Sequence, residues 1–279
     1  MVLEAVLLGI VQGITEFLPI SSTAHMYILA KLLNLHVPGR FFLSSVQLGT
    51  SFALILYFFK DVKGIISETS RSIYSFIQFG IRQKQGKRNE YTRLGLLLVT
   101  GTIPVVLLGF LLVRFVPDGF FSAARNLFTM GVALIVFGLL LGFADALFRR
   151  KKGNIFQITF IESVLIGAAQ VFAIIPGVSR SGITITTARF LNFDRQLAVR
   201  FSFLLSLPVT FIGGMYGLVA GPDTDYYSLG YSLIGAIVSF VVGLLVVSAL
   251  LRIISKTTFV LFVYYRVLFG LFLVIVSFF

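Results

Sequence analysis

Six stretches of the chain are apolar for about the 20 residues that a membrane-crossing helix needs: about 41–59, 94–113, 127–148, 197–220, 228–251 and 258–278. Two more, 1–34 and 158–192, are apolar but interrupted, the first by Pro19 and the second by Pro176-Gly177. A proline inside a helix removes one backbone hydrogen bond and clashes with the preceding turn. Each interrupted stretch therefore reads as a re-entrant pair of half-helices. Irregular backbone at membrane depth is tolerated only where it is buried in protein or lines a wet cavity. The expected fold is all-α: a polytopic membrane protein of six transmembrane helices plus two re-entrant helix pairs. Residues 65–79, IISETSRSIYSFIQF, read as an interfacial amphipathic helix.

The layout repeats. Gly9-x-x-Gln12 leads to Pro19, and Gly167-x-x-Gln170 leads to Pro176. A re-entrant pair followed by a span occurs at 1–59 and again at 158–220. The basic loops orient these units. Residues 60–93 carry Lys60, Lys63, Arg71, Arg82, Lys84, Lys87, Arg88 and Arg93; residues 149–152 are Arg-Arg-Lys-Lys; Arg252 and Lys256 follow the fifth span. With six alternating spans these fall on one side, which the positive-inside rule places in the cytoplasm. The loops opposite hold Arg114, Arg125 and Asp118, and Asp223 and Asp225. The first unit's span then runs inward and the second's outward. That is an inverted-topology repeat, with halves of about 1–113 and 127–279 in a single membrane-embedded domain over 1–279.

Composition agrees. The 279 residues are 57% hydrophobic and 12% charged, with a mean hydropathy of +0.99, too apolar for a soluble domain of this length. The net charge of +12 lies in the loops, with no separate basic domain, so nucleic acid is not the expected partner. There is no cysteine, which excludes disulfides and thiolate chemistry. The first residues lack a basic segment and include Glu4, so no cleaved signal peptide is expected.

The two breaks hold the chain's unusual polar residues. Gln12 and Glu16 share a helix face; Ser21, Ser22, Thr23 and His25 follow Pro19. Ser179, Arg180, Ser181 and Thr184 follow Pro176. An ionisable group inside a membrane marks a functional site, and a helix opening with free N–H groups suits an anion. If the breaks meet near mid-membrane, Glu16 and Arg180 neutralise each other. A guanidinium, hydroxyls and backbone amides could then cradle a phosphate, with a serine or histidine as nucleophile and a neighbour as base. Plainer readings stand beside this one. Arg180 could be half of a structural ion pair. Arg189, Arg195 and Arg200 are expected to sit at an interface or snorkel. Arg266 could serve an ion pair or a ligand, and His36 reads as a loop residue. Ser179-Arg180 has no histidine after it, which disfavours the type-2 phosphatidic acid phosphatase pattern.

The motifs themselves resemble a known family. Gln12-Gly-Ile-Thr-Glu16 runs into Phe17-Leu18-Pro19-Ile20-Ser21-Ser22-Thr23-Ala24-His25. Pro176-Gly177-Val178-Ser179-Arg180-Ser181-Gly182-Ile183-Thr184 forms the second motif. Gln47-Leu48-Gly49, Phe201-Ser202-Phe203-Leu204-Leu205 and Tyr265-Arg266 agree as well. Along its whole length the chain is similar to the undecaprenyl-diphosphate phosphatases, the integral membrane family also named for bacitracin resistance. The resemblance implies hydrolysis of a long-chain prenyl diphosphate in the plasma membrane, recycling the lipid carrier for cell-wall synthesis. It implies catalytic roles for Glu16, Ser22, His25 and Arg180, and phosphate binding by Gln12, Ser21, Ser179, Ser181 and Thr184. It also implies a site opening to the outer face and a divalent cation, Mg or Ca, held by Glu16; a homodimer is one assembly it admits. Gln12 replaces a frequent glutamate, leaving one carboxylate, and Ala24 stands where glycine is usual. Two routes stay open: Ser22 attacks with His25 as base, or His25 attacks directly. The rival class is a transporter or lipid flippase, whose architecture also uses inverted repeats.

Overall fold

The computed structural model describes residues 1–79, 88–116, 125–147, 153–219 and 226–279. Among these residues there are eleven α-helices and no strand: α1 Val2–Thr15, α2 Ser22–Leu32, α3 Arg40–Tyr57, α4 Phe59–Phe79, α5 Arg88–Phe115, α6 Leu127–Leu147, α7 Phe160–Ala169, α8 Arg180–Phe190, α9 Arg195–Leu218, α10 Leu229–Ile254 and α11 Val260–Val276. A 3-10 turn, Gln170–Ile174, extends α7.

Four helices are long and apolar enough to cross a membrane: Glu90–Leu112 within α5, then α6, α9 and α10. The stretch expected as the first span is bent: α3 and α4 meet at 82°. Its apolar run was read through to residue 59, but Phe58 caps α3, and Phe59 already belongs to the helix that turns away. The last expected span is the 17-residue α11. Of the basic segment 60–93, expected as a loop, the described residues 60–79 and 88–93 are helical. α4 carries Lys60, Lys63 and Arg71, and contains the expected amphipathic stretch with Ile66, Ile73, Tyr74 and Ile77 exposed. Arg82, Lys84, Lys87, the basic run 149–152, Asp118, Asp223 and Asp225 lie outside the described residues.

Both interrupted stretches are broken helices. α1 ends at Thr15 and α2 begins at Ser22; the 3-10 turn ends at Ile174 and α8 begins at Arg180. Their backbones match in detail. The non-glycine residues with positive φ are Ser21 (73°), Asn34 (51°), Ser179 (69°) and Asn192 (66°). Numbers 179 minus 21 and 192 minus 34 both give 158. Each pair starts and ends its second half-helix on a left-handed residue, a conformation uncommon outside glycine.

Small residues set the helix spacing, as expected where lipid supplies no hydrophobic drive between helices. A Cβ on Gly167 of α7 would sit 1.7 Å from the Gly101 carbonyl oxygen of α5, and one on Gly131 of α6 would sit 2.6 Å from that of Gly270 of α11. Hydroxyls tie helices as well: Ser163 of α7 donates to the Leu97 carbonyl of α5 (2.6 Å) and Ser239 of α10 to that of Val46 of α3 (2.8 Å). Arg189, Arg195 and Arg200, expected at an interface or snorkelling, each meet a carboxylate. Arg189 and Arg195 both pair with the buried Asp145 at 3.0 and 2.8 Å, and Arg200 pairs with Asp61 at 2.9 Å. These acceptors lie far away in sequence, and a buried guanidinium without one would be costly.

Gly167→Ala is expected to force α5 and α7 apart. The destabilisation should be about 1–3 kcal/mol, typical of overpacking, read as a lower melting temperature in detergent. Gly109→Ala, whose Cβ would meet nothing within 4 Å, serves as the control.

Candidate active site

The two breaks meet. Arg180, the first residue of α8, forms an ion pair with Glu16, the residue after α1. Glu16 Oε2 also accepts from Gln12 Nε2 at 3.0 Å and from Ser22 Oγ at 2.7 Å. The helical spacing of Gln12 and Glu16 makes the first bond, and the chain reversal at Pro19 makes the second. The carboxylate thus collects three donors: an amide, a hydroxyl and a guanidinium.

A cleft of about 310 Å³ opens beside this pair, lined by Ser21, Ser22, Thr23, Pro176, Gly177 and Ser179 as well as Glu16 and Arg180. Both second half-helices begin here. Ser179 Oγ caps α8 by accepting from Gly182 N at 3.2 Å, whereas Ser21 makes no side-chain cap on α2. The first-turn N–H groups of α2 therefore keep their donor capacity for an anion. A second cleft of about 290 Å³ lies across the ion pair, lined by Thr50, Ser51, Ser181, Ser202, Ser206 and Thr210 among others.

Not every expected residue faces the first cleft. Ser181 lines the second, donating to the Leu18 carbonyl at 3.1 Å. Thr184 is buried against α9, bonded to Ser202 Oγ at 2.5 Å and to the Arg180 carbonyl at 2.9 Å. His25 lines neither cleft. Its Nδ1 meets the Ser21 carbonyl at 2.7 Å, and its Nε2 meets the Tyr265 hydroxyl at 2.6 Å. The ring stacks on Phe269 with centroids 4.3 Å apart. With both nitrogens engaged, no hydrogen bond joins His25 to Ser22.

Arg266, left open between ion pair and ligand contact, does something else. It is fully buried, and it donates to backbone carbonyls: Leu134 (3.1 Å), Pro19 (2.8 Å), Gly177 (3.2 Å) and Val178 (2.9 Å). One guanidinium thus satisfies acceptors that each break exposes. Gly182 makes room for it, since a Cβ there would lie 2.7 Å from Nη1. Gly177, at φ 101°, turns its carbonyl toward it. Sequence reasoning missed these carbonyls because backbone acceptors leave no mark in composition. Tyr265 was noted only as part of a motif.

The chain belongs to the family described as bacitracin resistance protein BacA, which matches residues 5–272. It is therefore a multi-pass membrane protein of that family. It is 99% identical, over 279 residues and the whole of both chains, to the undecaprenyl-diphosphatase of Tropheryma whipplei strain TW08/27. It is 41% identical over 274 residues to that of Clavibacter michiganensis, covering 98% of this chain and 96% of the relative. The undecaprenyl-diphosphatase of Thermobifida fusca is 37% identical over 278 residues, covering 99% and 91%.

Arg266→Met is expected to destabilise the protein by at least about 3 kcal/mol, because each buried acceptor left bare costs about 1–3. Arg266→Lys should fall between, since a single ammonium cannot span the fork of acceptors. Thermal melts in detergent measure both.

Proposed function

We infer that the chain hydrolyses undecaprenyl diphosphate to undecaprenyl phosphate and inorganic phosphate, so returning the lipid carrier to cell-wall synthesis. The observation that carries this reading is the 2.7 Å bond from Ser22 Oγ to Glu16, made beside Arg180 in the cleft where both breaks open. A hydroxyl already donating to a carboxylate is a nucleophile joined to its base.

The diphosphate enters with its prenyl tail leaving laterally into lipid. It carries more negative charge than one carboxylate, so it competes with Glu16 for Arg180. Capture of the guanidinium frees Glu16 to act as base. Ser22 Oγ attacks the terminal phosphorus while Glu16 takes its proton. The bond from that phosphorus to the bridging oxygen breaks, and undecaprenyl phosphate leaves with the electron pair and receives the proton from Glu16. Water then attacks the phosphoserine as Glu16 accepts a proton from it. The serine P–O bond breaks, Ser22 Oγ regains that proton, and inorganic phosphate departs. Arg180, Ser179, Ser21 and the α2 N–H groups hold the phosphoryl oxygens through the charge build-up. Gln12 keeps Glu16 in place. This assignment favours Ser22 over His25 as nucleophile and Glu16 over His25 as base.

Among the described residues no cluster of three or more His, Asp or Glu could enclose a metal ion. One carboxylate does suit Mg, which is commonly held by one or two carboxylates together with substrate phosphates. Glu16 would be that ligand. Bound there, the ion would neutralise charge on the diphosphate.

The same reading keeps six transmembrane spans and two re-entrant pairs in an inverted repeat. The equal spacing of the left-handed serines and asparagines supports the repeat. The six spans are then α3, α5, α6, α9, α10 and α11, with α3 crossing despite its bend. The basic segments then face the cytoplasm and the cleft opens to the outer side.

Purified protein in detergent should release phosphate from a long-chain prenyl diphosphate. Ser22→Ala and Glu16→Gln should each lower kcat by at least about 100-fold, and the double variant should be no worse than either, since the pair acts as a unit. Bound substrate without release would sink the phosphatase reading and favour a transporter.

A further inference from the structure

The two breaks hold the same left-handed serine by different means. At the second, Ser179 caps its own helix through Oγ. At the first, Ser21 makes no such bond. In its place His25 Nδ1 reaches back to the Ser21 carbonyl at 2.7 Å. The residue 158 positions beyond His25 is Ile183, which has no such donor. The histidine therefore takes over at the first break the holding role that a serine hydroxyl plays at the second.

Its chemistry follows from its partners. A carbonyl oxygen only accepts, so Nδ1 carries the hydrogen. In the neutral ring Nε2 is then the acceptor, and the Tyr265 hydroxyl at 2.6 Å donates to it. Phe269 stacks on one face of the ring and fixes its plane. The Ser21 carbonyl belongs to the peptide whose N–H is that of Ser22. In a trans peptide the two point in opposite directions. Pulling the carbonyl toward His25 turns the Ser22 N–H the other way.

We propose that Tyr265 and His25 form a positioning relay. It locks the Ser21–Ser22 peptide in its left-handed setting and presents the Ser22 N–H, together with its Oγ, to the phosphoryl group. His25 is then neither nucleophile nor base. Both are positioning residues, acting through Ser21. The Ser21 hydroxyl, relieved of capping, is left to the ligand. This inference rests on the reading of the cleft as a diphosphatase site.

The test compares phosphate release from long-chain prenyl diphosphate by wild type, His25→Asn, His25→Leu and Tyr265→Phe, with melting temperatures measured alongside. Asparagine keeps an N–H donor near the position of Nδ1 but can neither accept a catalytic proton nor attack phosphorus. His25→Asn should stay within about tenfold of wild-type kcat and keep the acid limb of its pH profile. His25→Leu should lose about 100-fold, the scale of an ångström-sized misplacement. Tyr265→Phe should lower kcat by about tenfold, in the range of an orienting partner, with KM within about twofold. If folded His25→Asn is as inactive as His25→Leu, or its acid limb disappears, the relay is wrong and the histidine does chemistry. If His25→Asn fails to fold, Tyr265→Phe decides: unchanged kcat overturns the proposal. Failure of wild type to release phosphate instead overturns the diphosphatase reading itself.

Discussion

The structure depends on where two broken helices send the backbone groups they expose. A break at membrane depth leaves carbonyls with no helical partner and no water to replace it. Arg266 answers both breaks with one side chain, reaching the Pro19 carbonyl on one side and those of Gly177 and Val178 on the other. Burying an unpaired charge is expensive. Here several oriented carbonyl dipoles converge on the guanidinium, and its donors and their acceptors satisfy each other. The consequence is geometric. The openings of α2 and α8 are fixed relative to each other by a residue that lines neither cleft, so Glu16 and Arg180 can meet without holding the halves together.

That division of labour explains how a repeated frame hosts an unrepeated site. Ser21 and Ser179 share a backbone setting, as do Asn34 and Asn192. The side chains on that frame differ. The first break supplies the carboxylate, the Ser22 hydroxyl and the histidine; the second supplies the cation. Two copies of either set would bring like charges together and split apart. The complementary pair rests neutral, and a substrate bearing several negative charges can reorganise it.

Much of this was legible in the sequence. Prolines inside apolar runs marked the breaks, and the need to neutralise Glu16 and Arg180 foretold their meeting. Gly-x-x-Gln before each proline marked the likeness of the two breaks, whose positive-φ residues recur at the same spacing. Other features leave no such mark. Asp145 lies in an apolar span, 44 positions before Arg189, and only folding shows that it binds Arg189 and Arg195. The arginines were therefore expected at an interface or snorkelling, with no carboxylate partner named. Tyr265 is one of 10 tyrosines and 31 phenylalanines in the chain, so nothing local singled out its hydroxyl. The end of the first apolar stretch, read at about residue 59, lies within two residues of the end of α3 at Tyr57, but hydropathy does not sense the 82° bend that follows. Thr184 looked like a ligand because a hydroxyl four residues after an arginine shares its helix face. In the fold that hydroxyl returns to the helix backbone and to Ser202.

The resting ion pair has a kinetic meaning. In the proposed mechanism Arg180 holds Glu16 in an ion pair until a ligand takes the guanidinium. On the same mechanism the Ser22 hydroxyl, which donates to Glu16 at 2.7 Å, loses its proton only once the carboxylate is released. Only a ligand that outcompetes the carboxylate for the guanidinium releases the base, and a diphosphate does so better than a monophosphate because it brings more charge and a longer span of oxygens. The arrangement thus favours the substrate over its own product by electrostatics alone. That mechanism places the discrimination at Glu16 and Arg180, the two residues that meet across the breaks while Arg266 holds the backbone.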